Sequence, residues 1–269
     1  MTLVKKLRWA VLAAVPVLFI GAFFYWPLIK IFSHALGSEG IGDFKSLIFS
    51  GSFHQIAWFT VWQAFLSTVL TMVLALPAAY LMARYSFRGR RIFQVATTVP
   101  FVLPTVVVAG AFTALFERFG LDEGAFRLRH TVWALLAAHV FFNLAIAIRT
   151  VSSFWSGLDP RIEEQAKLLG ATPWQIFRKI TFPRLVPALA AASSIVFLFC
   201  LTSFGVVLLL AGPTRATIET EIWRQAIWRG DIATASSLAV IQLVAVVVMV
   251  LLMNYLQRRQ AVVENRMDF

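Results

Sequence analysis

The chain is short of charge. Asp, Glu, Lys and Arg together make up 14% of its 269 residues, against about 25% in an ordinary soluble domain. The deficit is paired with an excess, since 59% of the residues are hydrophobic where roughly 45–50% is usual. Mean hydropathy is +0.79. A soluble globular domain is excluded by that balance, and a polytopic membrane protein is what remains. Cysteine is nearly absent: Cys200 stands alone in an apolar run, so no intrachain disulfide can form and a small core residue is expected there. No Gly-x-x-x-x-Gly-Lys-Ser/Thr phosphate loop occurs, which argues against ATP binding by this chain. No Cys/His cluster has metal spacing and no nucleophile–base pair stands out. No cofactor or metal is therefore expected.

What is present is a series of long uncharged runs. Six stretches free of Asp, Glu, Lys and Arg can each supply the ~17–25 residues that cross a bilayer as a helix. They predict spans near 9–31, 58–83, 92–116, 131–155, 187–210 and 234–256 within one transmembrane domain, residues 1–269. The fourth is the weakest, because His139 and Asn143 interrupt it. Prolines inside the runs, Pro16, Pro77, Pro100 and Pro104, are expected to kink the helices rather than break them. Lys5, Lys6 and Arg8 precede the first run, and Tyr25-Trp26-Pro27 rather than a cleavage site follows it, so an uncleaved span is expected.

The net charge of +11 raises nucleic acid as a partner, but the distribution of basic residues explains it otherwise. Residues 1–8, 84–91, 149–184 and 258–269 hold 16 of the 24 Lys and Arg. By the positive-inside rule that face, with both termini, is cytoplasmic. Nucleic acid is not needed; membrane lipid is the expected surround.

One charged segment interrupts the oil. Residues 163–183 read EEQAKLLGATPWQIFRKITFP, between the fourth and fifth spans. Asp159-Pro160 is an N-cap with proline at the first helical position. The helix it starts is expected over Arg161–Leu169, with an apolar stripe of Ile162, Ala166 and Leu169, and Gly170 as its stop. Thr172, Pro173 and Gln175 predict a capping box and a second helix to about Ile180, after which Pro183 and Pro187 lead into the fifth span. Two readings apply: a connector lying on the headgroups, or two amphipathic helices forming a docking surface.

Glu164-Gln165-Ala166, Gly170, Ile180 and Phe182-Pro183 resemble the signature of ABC-importer membrane subunits, the binding-protein-dependent permeases. That signature runs Glu-Ala-Ala, three residues, Gly, nine residues, Ile, one residue, Leu-Pro; Gln165 and Phe182 depart from it. The resemblance implies an all-α membrane protein of six transmembrane helices in the bacterial inner membrane, with a cytoplasmic coupling-helix loop, residues 158–183, between spans 4 and 5. It implies a non-catalytic subunit whose partners are a cytoplasmic ABC ATPase, a periplasmic or lipid-anchored substrate-binding protein, and a second permease unit, identical or not. ATPase docking would fall to Glu164, Ala166, Gly170, Ala171 and Trp174. Glu164 would meet a basic residue of the ATPase, and Gly170 would allow the chain to reverse.

Further stretches, Trp62-Gln63-Ala64-Phe65-Leu66-Ser67, Ala138-His139 through Leu144, and Thr202-Ser203 through Leu208, resemble the thiamine and iron(III) permeases. Thiamine is the expected solute, with iron(III) or another small solute as the alternative. His139 and Asn143, four apart on one helix face, either fix interhelical packing or stand on the solute path, as do Thr202 and Ser203. A membrane enzyme would need more ionisable groups in the spans than His139, and a channel a pore loop or ring of charge; neither pattern is visible.

Overall fold

The structure is a computed structural model, which describes residues 3–37, 40–124 and 127–267. The expected cytoplasmic termini, at residues 1–2 and 268–269, lie outside the described residues. Every regular element among those described is helical. Five helical stretches are long and apolar enough to cross a membrane, and a sixth is counted if one bent pair is a single span.

Two compact units divide the chain: residues 1–55 with 218–245, and residues 56–217 with 246–269. In the first, α1 (Leu3–Ile20), a π-helical segment (Gly21–Tyr25) and α2 (Trp26–Leu36) follow one another, and α3 (Gly40–Ile48) comes next. The stretch Leu12–Leu36 is apolar apart from Lys30, Ser33 and His34 near its end and buries none of its most apolar window. Pro16 lies inside α1 without ending it. The unit also holds α12 (Ile218–Trp223), a π-helical segment (Arg224–Arg229) and the start of α13 (Ile232–Met267).

The second unit carries the candidate sites. It is built on α4 (Gly51–Arg84), α5 (Arg90–Val102), α6 (Thr105–Arg118), α7 (Val132–Ser156), α8 (Pro160–Leu168), α9 (Pro173–Ile176), α10 (Phe182–Leu201) and α11 (Gly205–Leu210). Its hub is α7. Toward its C-terminal end, Ala147, Ile148, Val151 and Trp155 pack with Ala64, Ala75 and Ala79 of α4 and with Leu185, Ala192 and Val196 of α10. Toward its N-terminal end, Ala134, Leu135, Ala138 and Phe142 pack with Val108 and Ala109 of α6 and with Val206, Val207 and Leu210 of α11. The alanines matter: between lipid-embedded helices there is no hydrophobic drive, so close backbone approach over small side chains supplies the contact. The run weakest in hydropathy is thus the most interior helix, with 61% of its window buried. The two polar residues in its middle, His139 and Asn143, are affordable because they are buried within the protein.

Three expectations are corrected. The third run is not one kinked helix: α5 and α6 meet at 106°. Leu103 is extended (φ −70, ψ 143) because proline disfavours helix in the residue before it, and Pro104 lacks an N–H to carry the ladder on. Pro77 and Pro100, in contrast, stay within α4 and α5. The fifth run is likewise interrupted, at Thr202–Phe204. The two breaks meet: a Cβ on Gly205 would lie 2.7 Å from Thr105 Oγ1, so the backbone of α11 rests directly on the start of α6. Finally, the second loop helix does not stop near Ile180. It passes through a π-helical segment, Phe177–Thr181, straight into α10, giving one helical stretch over Pro173–Leu201.

Candidate functional site

The loop between α7 and α10 is firmly framed. Asp159 Oδ1 accepts the N–H of Arg161 at 2.9 Å and starts α8. At the other end, the N–H of Ala171 reaches Ala166 O and that of Gly170 reaches Lys167 O, both at 3.0 Å. This is the Schellman arrangement, and it requires a left-handed residue; Gly170 supplies it at φ +83. Thr172 then closes the capping box: its Oγ1 accepts from Gln175 N at 3.3 Å, and its N–H donates to Gln175 Oε1 at 2.8 Å.

Inside this frame the apolar groups point outward. Leu168 and Leu169 are each 88% exposed and Trp174 is 66% exposed, with Trp174 stacked on Phe177 at 5.8 Å. The expected stripe is corrected here, because Ile162 and Ala166 are half-buried while Leu169 faces away from the protein. Glu164 and Gly170 are exposed and Ala171 half-buried, and no ion pair is made by Glu164 among the described residues. Glu163, a neighbour that the sequence pattern did not single out, is paired instead. Its Oε1 accepts from Arg84 Nη2 at 2.7 Å and from Thr181 Oγ1 at 2.9 Å.

The four residues read as either packing or solute-path groups separate into two places. His139 and Asn143 are buried, at 2% and 4% exposure, in a polar knot of α4, α7 and α10. Ser67 Oγ bonds His139 Nδ1 at 2.9 Å. Asn143 Nδ2 donates to His139 O at 2.8 Å and to Cys200 Sγ at 3.5 Å, and Gln63 Nε2 donates to Cys200 O at 2.9 Å. Gln63 and Ser67 enter the sequence reading only within a stretch of family resemblance and not as site residues, although they repeat the four-residue spacing of His139 and Asn143. Thr202 and Ser203 are half-buried at the α10–α11 break, where Thr202 Oγ1 donates to Leu198 O at 2.9 Å.

A cleft of about 610 Å³ lies between α5 and α7, with Arg91, Gln94, Thr97, Thr98, Arg149 and Ser152 as its polar lining and Leu103 of the α5–α6 break among its apolar walls. No acidic residue lines it. No ion pair is made by Arg91 or Arg149 among the described residues. These side chains also went unnoticed in the sequence, since each is unremarkable until the fold aligns them.

Comparison with known proteins agrees with this architecture. Residues 75–262 match the family described as binding-protein-dependent transport system inner membrane component. The chain is 32% identical over 209 residues to the sulfate transport system permease protein CysT of Escherichia coli (strain K12), covering 74% of this chain and 75% of that protein. To the thiamine transport system permease protein ThiP of Salmonella typhimurium (strain LT2) it is 31% identical over 213 residues, covering 76% of this chain and only 40% of that protein. In fold it is similar to a chain of a bacterial ABC transporter involved in the import of the acidic polysaccharide alginate, at a TM-score of 0.74 and 22% identity over 94% of this chain and 96% of that one. A chain of the MetNI methionine ABC transporter gives a TM-score of 0.60 at 19% identity, over 78% and 99%. The chain belongs to the binding-protein-dependent transport system inner membrane components, the permease subunits of ABC importers. Its permease relatives include sulfate and thiamine proteins at nearly equal identity.

Proposed function

We propose that this chain is one of two six-span units of an ATP-driven importer in the bacterial inner membrane. A binding protein delivers a small solute, and residues 158–183 dock a cytoplasmic ATPase. The observation that carries this reading is the exposed apolar tip. Leu168, Leu169 and Trp174 stand out from a doubly capped frame, where a mere connector would turn them inward. Apolar anchors ringed by polar groups suit a protein partner, and Glu164 is free to meet a basic residue there. The excess of Lys and Arg on the loop side supports a cytoplasmic placement of the loop and of both termini. The test is co-purification of the ATPase with the permease from membranes, parent against Leu168→Asp/Leu169→Asp. Equal retention by the two would remove the loop from the docking surface.

Within that scheme His139 and Asn143 fix packing, as their burial and their hydrogen bonds to Ser67 and Cys200 on neighbouring helices support. The solute passes the α5–α7 cleft and the breaks beside Thr202 and Ser203. Thiamine is the solute that the sequence resemblances favour, with iron(III) as its alternative. A second reading, an oxyanion, is favoured by one observation: Arg91 and Arg149 line the cleft with no acid beside them, an arrangement that attracts anions and repels a cation. Titration of the cognate binding protein with thiamine, ferric ion and sulfate separates the readings. Binding of sulfate alone selects the oxyanion, and binding of thiamine alone the first reading.

A further inference from the structure

The docking tip is only one end of a lever, and its root is held at one atom. Oε1 of Glu163, in the first part of α8, accepts from two helices at once. Arg84, the last residue of α4, donates from Nη2 at 2.7 Å. Thr181, where the π-helical segment enters α10, donates from Oγ1 at 2.9 Å. Arg84 Nη1 also reaches Leu158 O, just before α8, at 3.4 Å. The pair is largely shielded from water, with side-chain exposures of 15% for Arg84 and 22% for Glu163, and Thr181 is 4% exposed. A charged hydrogen bond shielded in this way holds its geometry far better than one in open solvent.

The tip has a covalent route into the membrane, because Trp174 lies in the first turn of the continuous stretch Pro173–Leu201 that ends at the break before Gly205. It has no such route to α4. We infer that Arg84, Glu163 and Thr181 form a strut that makes the end of α4, α8 and the start of α10 one moving body, so that force on the loop reaches α4 as well as α10. These are positioning residues, distinct from the docking residues at the tip, and the inference rests on the docking role proposed above.

The experiment uses the permease–ATPase complex in lipid nanodiscs, with spin labels on the exposed positions Leu81 of α4 and Gln165 of α8. Cys200 is fully buried, so it does not compete for the label. In the parent, the Leu81–Gln165 distance distribution stays unchanged when MgATP is added. In Glu163→Gln it broadens and shifts with MgATP, the ATPase still co-purifies, and the stimulation of ATP hydrolysis by the binding protein falls about 2- to 30-fold, the range seen for residues that carry coupling. Arg84→Gln behaves alike, and the double variant is no worse than either single, as two partners in one contact require. An unchanged distance together with parental stimulation in Glu163→Gln overturns the strut, as does simple addition of the two single effects. Loss of the ATPase from Glu163→Gln also overturns it, by placing Glu163 in the docking surface itself. A parent that retains no ATPase removes the docking reading, and the strut falls with it.

Discussion

The loop tip and the polar knot of α4, α7 and α10 break the same rule in opposite directions. At the tip, Leu168, Leu169 and Trp174 lie outside the protein in a charged loop. In the knot, Gln63, Ser67, His139 and Asn143 are almost wholly inside it, within uncharged runs. Each inversion is tolerated for a different reason. The knot is bonded largely from within: its groups reach one another and Cys200, while Gln63 Oε1 and His139 Nε2 find no partner among the described residues, so most of the cost of burial is met within one chain. The tip satisfies nothing, because its caps hold the backbone and leave the side chains bare. A polar cluster bonded largely from within holds helices together, whereas a bare apolar one within a rigid frame supports association.

The comparison breaks if the two regions respond alike. The largest effect is expected from Leu168→Asp/Leu169→Asp, which puts two charges where an apolar partner surface should sit. ATPase retention should weaken about 30-fold or more, as for anchors at an interface centre, while the thermal midpoint of the permease in detergent stays within 2–3 °C, the scale of a surface change. A fall in the midpoint without loss of the ATPase would mean that the tip serves the fold.

Gly170→Val comes next. No atom lies near the added Cβ, so the whole cost is the left-handed backbone, about 1–3 kcal/mol. It should appear as lost ATPase retention with membrane insertion intact, measured by quantitative blotting at matched expression. In the knot the signs reverse: Ser67→Ala and Asn143→Leu should each destabilise the permease by about 0.6–1.7 kcal/mol, the range of interhelical hydrogen bonds in membranes. Detergent unfolding checks this, with ATPase retention per folded permease unchanged. Glu164→Ala should give the smallest effect, about two- to fivefold weaker retention that fades at high salt, as an exposed ion pair does.

The position of the loop, its two caps and the glycine that ends α8 were legible because capping is local. Asp159, Thr172 and Gln175 act on backbone groups two or three residues away, which the sequence brings together by itself. The helical class was legible for the same kind of reason, since lipid leaves the backbone few alternatives and long uncharged runs report it directly. The orientation of the loop's apolar side chains was not legible. Periodicity places Leu169 on one stripe with Ile162 and Ala166 but does not say what covers it, and Leu169 is 88% exposed while the other two are half-buried. The third and fifth runs read as whole spans because hydropathy does not register a break between two equally apolar halves. Pro104 carried a signal for one break; nothing in Thr202–Phe204 marked the other as clearly.

The sequence by itself determined the membrane class, the bulk of the spans, the charge asymmetry and the capped loop, since each rests on composition or on neighbours a few residues apart. Only the tertiary structure decided which carboxylate of the loop is held and which is free, because Arg84 lies 79 residues from Glu163. It alone gathered Gln63, Ser67, His139, Asn143 and Cys200 from three helices, aligned Arg91 with Arg149 along one cleft, and set Gly205 against Thr105. Those are long-range contacts, in which partners are chosen by close packing between helices, and no spacing along the chain encodes the choice.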